Sequence, residues 1–280
     1  MTVFHWRAVL LMGTATVALF AQKDNATREA WNQPVAPFQI IGNIYYVGAE
    51  GVASYLITTP RGHILLDGGL PETAPSIEKN IATLGFKVRD VKFLLNSHAH
   101  YDHCGGLAEL KKASGAKMIA SQEDGEILEH GDPAQRPNWK FPLVKVDRVI
   151  HDGETVDLGG TQLTAVVTPG HTPGCTTWTM PVTDAGRRLN VVFFCSTSVV
   201  EKLHGNKEYP GIVADYQRSF ERLKKLPCDV FLGAHPMFFD MDGKRARMKP
   251  GSPNPFIDPA EFHNYVIESE QAFEVELKKK

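Results

Sequence analysis

The sequence predicts an α/β protein: two stacked β-sheets with helices on both outer faces. Three observations lead there. Short apolar runs broken by Gly and Pro recur along the chain, as strands joined by tight turns require. Stretches with apolar residues at helical spacing lie among them. The order is strands with a few helices and then strands with helices again, with no internal repeat, no low-complexity tract and no clear second domain. Two such halves suit a layered structure, because helices and sheets must bury their apolar faces against one another.

The 280-residue chain opens on "MTVFHWRAVLLMGTATVALFAQ", with Arg7, an apolar run from Ala8 to Phe20, and then Ala21. A basic start, a short apolar stretch and a small residue form a secretory signal, placed here at 1–21. The run falls short of the ~20 residues that span a membrane. Export to the periplasm is expected, with no membrane attachment once the signal is removed; an uncleaved membrane anchor is the alternative, and it too exports the domain. Residues 22–37 are polar, carry two prolines and read as a loosely held N-terminal arm. A single domain is expected over 38–280.

Within it, "FQIIGNIYYVG", "VASYLITTP" and "GHILLDGG" read as strands in hairpins. "APSIEKNIATLG" reads as a helix through Ile77, Ile81 and Leu84 that stops at Gly85. "DVKFLLNS" is a buried strand, "GGLAELKKASG" a short helix and "AKMIAS" a strand. Residues 123–142 predict a short helix and a Pro-rich loop, whose Trp139 and Phe141 are candidates to cover a site. Further strands follow in "VKVDRVIHDGETVDLGGTQLTAVVTP", "TTWTMPVT" and "LNVVFFCSTS". "GIVADYQRSFERLKKLP" is an amphipathic helix through Ile212, Tyr216, Phe220 and Leu223, and "DVFLGAHP" a strand. The last helix is expected to start at Asp258 as N-cap with Pro259 first, and to turn Phe262, Val266, Phe273 and Leu277 to one side.

A net charge of −2 gives no basic surface for nucleic acid. There are four cysteines and no CxxC pair, so a thiolate zinc knuckle is not supported. Cys175 and Cys195 lie near adjacent strands; the sequence leaves open whether they pair or stay as buried thiols.

Chemistry concentrates in "NSHAHYDHCGG", which places three of the 11 histidines beside an aspartate. In extended chain, residues two apart point the same way, so His98 and His100 can reach one metal together. Asp102 and His103, at the turn into the next helix, can aim at a second point. His171 in "TPGHTPG" and His235 in "GAHP" also follow apolar strands directly. Three strand ends thus deliver five histidines and one aspartate. That suits two three-ligand zinc sites, each with room for water. His5, His63, His130, His151 and His263 read as ordinary residues, and His204 is left open.

HxHxDH at 98–103, GHTPG at 170–174 and GAHP at 233–236 resemble the metallo-β-lactamase superfamily over about residues 38–275. The resemblance implies an αβ/βα sandwich, four layers with metals at one edge. Asp67 in "LLDGG" looks like the family's aspartate behind the metal ligands. Thioesterases and many lactonases of this family carry an aspartate at the strand end where Cys195, Ser196, Thr197 and Ser198 stand. Its absence, with His103 after Asp102, resembles subclass B3 metallo-β-lactamases. That resemblance implies two Zn2+ per chain: His98, His100 and His171 on the first, and Asp102, His103 and His235 on the second. Ser196 and Ser198 would bind the substrate carboxylate, in a register that leaves Cys195 as an alternative.

The implied activity is hydrolysis of the β-lactam amide of penicillins, cephalosporins and carbapenems by a metal-bound hydroxide oriented by Asp102, giving antibiotic resistance. A hydrolase of lactones or thioesters is the alternative, and a metal-binding protein without catalysis a third reading. A monomer is expected. The subclass often joins the cysteine of "PCD" to the C-terminal helix. Cys228 is present, but Phe262 stands where its partner would be.

Overall fold

The computed structural model describes residues 25–132 and 139–279. The expected signal at 1–21 and residues 133–138 of the Pro-rich loop lie outside them. Among the described residues, twelve strands form two sheets. The first runs in the order β1 (Phe38–Ile41), β2 (Ile44–Tyr46), β3 (Tyr55–Thr59), β4 (Gly62–Leu66), β5 (Val91–Leu95), β6 (Lys117–Ala120), β7 (Arg148–Val149). The second runs β12 (Val230–Gly233), β11 (Arg187–Phe194), β10 (Thr176–Asp184), β9 (Thr161–Val167), β8 (Thr155–Leu158). Together with their helices these form the two stacked, helix-covered sheets that the sequence predicts.

The layering follows from side chains alternating across each strand. Ile64 and Leu66 of β4 join the core shared with the second sheet, while Leu65 joins the core under the helices. Leu95 and Leu94 of β5 divide the same way. Such strands are apolar on both faces, which is why they read as continuous apolar runs. Helices α2 (Ala74–Thr83), α4 (Leu107–Ser114) and α5 (Gln122–His130) cover the first sheet through Ile77, Ile81, Leu107, Leu110 and Leu128. Helices α6 (Ile212–Leu223) and α8 (Glu261–Leu277) pack on the second core through Tyr216, Phe220 and Phe273. Phe141 belongs to the first sheet's outer core and covers no site.

Strands β4, β5 and β6 are parallel, as are β11 and β12. Parallel pairing brings strand C-termini to one edge, and the loops that leave that edge carry the polar cluster described below. α3 (Tyr101–Cys104), a single helical turn, follows β5 directly. α7 (Met241–Arg247) follows a 3-10 turn at Pro236–Phe239 after β12.

Two elements differ from expectation. Residues 25–31, within the expected loose arm, form a helix, α1. It is tied down by Arg28, which pairs with Glu72 at 2.8 Å. α8 begins at Glu261, not at Pro259, because Asp258 first closes a turn: its Oδ1 accepts from the Ala260 N–H at 3.0 Å. Phe262, Val266 and Phe273 are nonetheless all buried.

Cys175 and Cys195 form a disulfide that joins the start of β10 to the end of β11, with Cα atoms 6.0 Å apart. Cys228 is a free, buried thiol. The disulfide closes a loop of 20-residue separation. Replacing both cysteines with serine is therefore expected to lower stability by about 3 kcal/mol on the chain-entropy model, read as a fall in the denaturation midpoint. An unchanged midpoint would show that the bond adds nothing beyond the packing around it.

Candidate metal centre

Each of the six side chains expected at the metals hangs from a segment that leaves the common sheet edge. His98 and His100 lie in the bend after β5, and Asp102 and His103 on α3. His171 sits in the loop after β9, and His235 immediately after β12. The structure brings them together as two groups, His98–His100–His171 and Asp102–His103–His235. In each, the candidate ligand atoms lie within 4.8 Å of one another. The groups are adjacent, with the rings of His98 and His103 4.2 Å apart.

The donor chemistry fits a metal. His171 Nδ1 lies 2.7 Å from the Ser198 carbonyl, and His235 Nδ1 2.7 Å from that of Gly51. Each carbonyl holds a proton on Nδ1 and turns the bare Nε2 inward. His171 Nε2 is 3.2 Å from His98 Nε2, and His235 Nε2 is 3.2 Å from His103 Nε2. Two nitrogens bound to one tetrahedral zinc at ~2.0–2.1 Å stand roughly 3.3–3.4 Å apart, so this spacing matches that coordination. Asp102 Oδ2 completes the second group at 3.3 Å from His103 Nε2 and 3.7 Å from His235 Nε2.

Asp67, at the end of β4, stands behind the groups. It is buried, adopts a left-handed φ of 63°, and accepts the Ser97 N–H at 2.6 Å. Its other oxygen is 3.6 Å from His103 Nδ1, an ion-pair contact beyond hydrogen-bond length. His98 Nδ1 is backed by Ser97 Oγ at 3.0 Å.

Burial, with the charges of neighbouring histidines, holds His98 and His171 well below the ordinary imidazole range. Burial also lowers His100, and burial with His103 brings His235 down to about 4. Burial opposes charge on His103 as well, but Asp102 and then Asp67 outweigh it and push the imidazole up to about 10. Asp102 itself stays well below the usual carboxylate range, because His103 outweighs its burial.

These shifts set a pH dependence for the metal-free protein. Histidines with lowered values resist protonation when folded but accept it, near pH ~6.5, when unfolded. Their stabilisation is present above that value and is lost as pH falls. The four site histidines and His63 act this way, against carboxyls that burial raises and that work in the opposite sense, of which Asp124, brought to about 7, moves furthest. The stabilising His103 charge is full below ~6.5 and disappears as pH rises toward about 10. Chelator-treated protein should thus be most stable near neutrality, with a lower denaturation midpoint at pH 5 than at pH 7. A higher midpoint at pH 5 would contradict the shifts.

A cleft opens over both groups. Ser196 and Ser198 line it, while Cys195 is committed to the disulfide below. Its walls also include four aromatic residues that sequence reasoning did not connect into one site: Trp31, Tyr101, Trp139 and Phe238. Trp31 reaches from α1 to the His235 ring, centroids 5.3 Å apart, and Gly51 leaves it room, since a Cβ there would overlap the indole. Tyr101 stacks on Trp139 at 5.4 Å. The only signal for Trp31 was an aromatic residue in a polar stretch. His204 does not line the cleft: its Nε2 lies 2.8 Å from the Leu277 carbonyl on α8.

Residues 47–235 match the family model described as the metallo-beta-lactamase superfamily. The structure superposes on the subclass B3 metallo-beta-lactamase BJP-1 of Bradyrhizobium japonicum, 47% identical, with a TM-score of 0.87 over 89% of this chain and 96% of that one. It also superposes on the FEZ-1 metallo-beta-lactamase of Legionella gormanii, 44% identical, with a TM-score of 0.86 over 88% and 97%. Among curated sequences, a hydroxyacylglutathione hydrolase of Hyphomonas neptunium is 30% identical over 132 residues, 47% of this chain and 43% of that protein. The match thus spans less than half the length of that relative.

Proposed function

Because this chain belongs to the metallo-beta-lactamase superfamily, we propose that it is an exported, zinc-dependent β-lactamase of the B3 kind. In this reading His98, His100 and His171 hold one zinc, and Asp102, His103 and His235 a second. When bound, zinc polarises a carbonyl and lowers the pKa of its water to ~7. The second group carries the reading: it is complete without a carboxylate from the β11 end, where Cys195–Ser198 stand in place of the aspartate that the thioesterase branch uses. The similarity to two solved lactamases over nearly their whole length supports the same substrate class.

The chain's own residues divide the work. Asp102, an ionised carboxylate at the second group, accepts a hydrogen bond from the attacking water and so orients it. Ser198 N–H donates to Ser196 Oγ at 3.1 Å, which leaves the Ser196 hydroxyl proton free to meet the substrate carboxylate. Trp31, Tyr101 and Trp139 shield the reacting amide from bulk water and receive its apolar substituents. No nucleophilic serine and no covalent acyl-enzyme are required. The protein acts as a monomer in the periplasm, released from the membrane when its signal is cut, and confers antibiotic resistance. Among the described residues no helix is long and apolar enough to cross a membrane.

Cleavage of a thioester or lactone is the second reading, favoured by the hydroxyacylglutathione hydrolase similarity. The test is a panel of a carbapenem, a cephalosporin, an acyl-homoserine lactone and a glutathione thioester, with and without chelator. Chelator-sensitive β-lactam cleavage with kcat/KM above ~10⁴ M⁻¹s⁻¹ is expected. Turnover of the thioester or lactone alone overturns the assignment, and tight zinc binding without turnover leaves only a metal-binding protein.

A further inference from the structure

A buried carboxylate outside both metal groups touches the two segments that carry the first of them. Asp124 lies in the first turn of α5 and is wholly buried. Its Oδ2 accepts from Asn96 Nδ2 at 2.7 Å, and the Ala99 backbone lies near enough for its N–H to favour the charged form. Asn96 is fixed from its other side, where its carbonyl accepts Trp178 Nε1–H at 2.9 Å. Asn96 and Ala99 flank His98, and His100 follows next.

The far side of Asp124 meets the His171 loop. A Cβ on Gly174 would overlap Asp124 Oδ1 and stand 2.6 Å from its Cγ, so the glycine lets the loop close onto the carboxylate. Ser121 Oγ, the cap of the same helix, donates to the Gly174 carbonyl at 2.9 Å. Asp124 Oδ1 has no hydrogen-bond partner among the described residues. A buried carboxyl with one oxygen unsatisfied is costly whether or not it is ionised, and an apolar side chain of similar size would serve core packing better. The expense is explained if the carboxylate acts on the site.

We propose that Asp124 is a positioning residue of the metal centre: it clamps the Asn96–Ala99 segment to the Gly174 loop and so sets His98 and His100 against His171. This rests on the zinc reading above. Loss of a supporting partner behind metal ligands costs roughly 10–100-fold in metal affinity, and Asp124→Ala is expected to lose that much at the first site. Asp124→Asn, whose amide oxygen can still accept from Asn96, should recover most of it.

The readouts are zinc affinity, by competition with a chromophoric chelator, and the absorption spectrum of the cobalt-loaded protein. Both are taken on folded wild type and variants in parallel. Asn96→Ala cuts the clamp from the other side and carries the same test if Asp124→Ala does not fold. Weakened zinc binding with a changed cobalt spectrum in the alanine variant, largely restored in Asp124→Asn, supports the clamp. A folded alanine variant that binds zinc within twofold of wild type, with an unchanged spectrum, overturns it and leaves Asp124 a part of the fold alone. A wild-type protein that binds no zinc overturns the metal reading itself.

Discussion

Replacing His171 with alanine is expected to empty one metal position and reduce turnover by more than about 10³-fold, beyond the ~10–100-fold that a supporting partner costs. The fold should survive. The Ser198 carbonyl, which His171 Nδ1 engages, also accepts the Tyr216 hydroxyl at 2.8 Å, so truncation does not leave it bare. The disulfide still anchors the loop at Cys175. Zinc at a thousand times its dissociation constant adds about 4 kcal/mol to the stability of a protein that binds it only when folded. Added zinc should therefore raise the melting temperature of wild type more than that of the variant. Metal content and thermal shift check this together. A variant that keeps full zinc content and activity would remove His171 from the site.

The second large effect belongs to Asp67. Alanine there strips the acceptor from the Ser97 N–H, which is buried. An unpaired buried donor costs about 1–3 kcal/mol. The backbone at Asp67 is left-handed, a conformation aspartate tolerates better than alanine. His103 also loses the negative charge 3.6 Å from its Nδ1. Together these predict a loss of about 2–4 kcal/mol in stability and about 10–100-fold in zinc affinity. Asp67→Asn should fall between, because its amide oxygen can still accept from Ser97. Chemical denaturation and chelator competition measure the two effects. A stability change within about 0.5 kcal/mol, the range of an ordinary surface substitution, would contradict this account.

Both effects arise at residues that the sequence exposes through local pattern. The strands around Leu65 and Leu94 are apolar on both faces and bounded by turn residues, so their burial is written along the chain. HxHxDH is dense enough to stand out, and His171 and His235 share its context of an apolar strand ended by a loop. What stays hidden is decided by contacts between distant segments. α1 is too short to be stable by itself and is held by Arg28–Glu72 and by Trp31 against His235. The disulfide follows from the antiparallel pairing of β10 with β11, which sets Trp178 opposite Phe193 and so brings Cys175 and Cys195 to one end. Asp124 looks like an ordinary acidic residue in the first turn of a helix. Only the fold sets it against Asn96 and Gly174. The late start of α8 is a local competition, in which the Asp258 side chain turns the backbone before the helix begins.

The most direct test is anomalous scattering at the zinc edge from crystals of the protein grown with zinc. Two peaks are predicted, one bounded by His98, His100 and His171 and the other by Asp102, His103 and His235. No peak in either place, or zinc bound only elsewhere on the surface, would contradict the account.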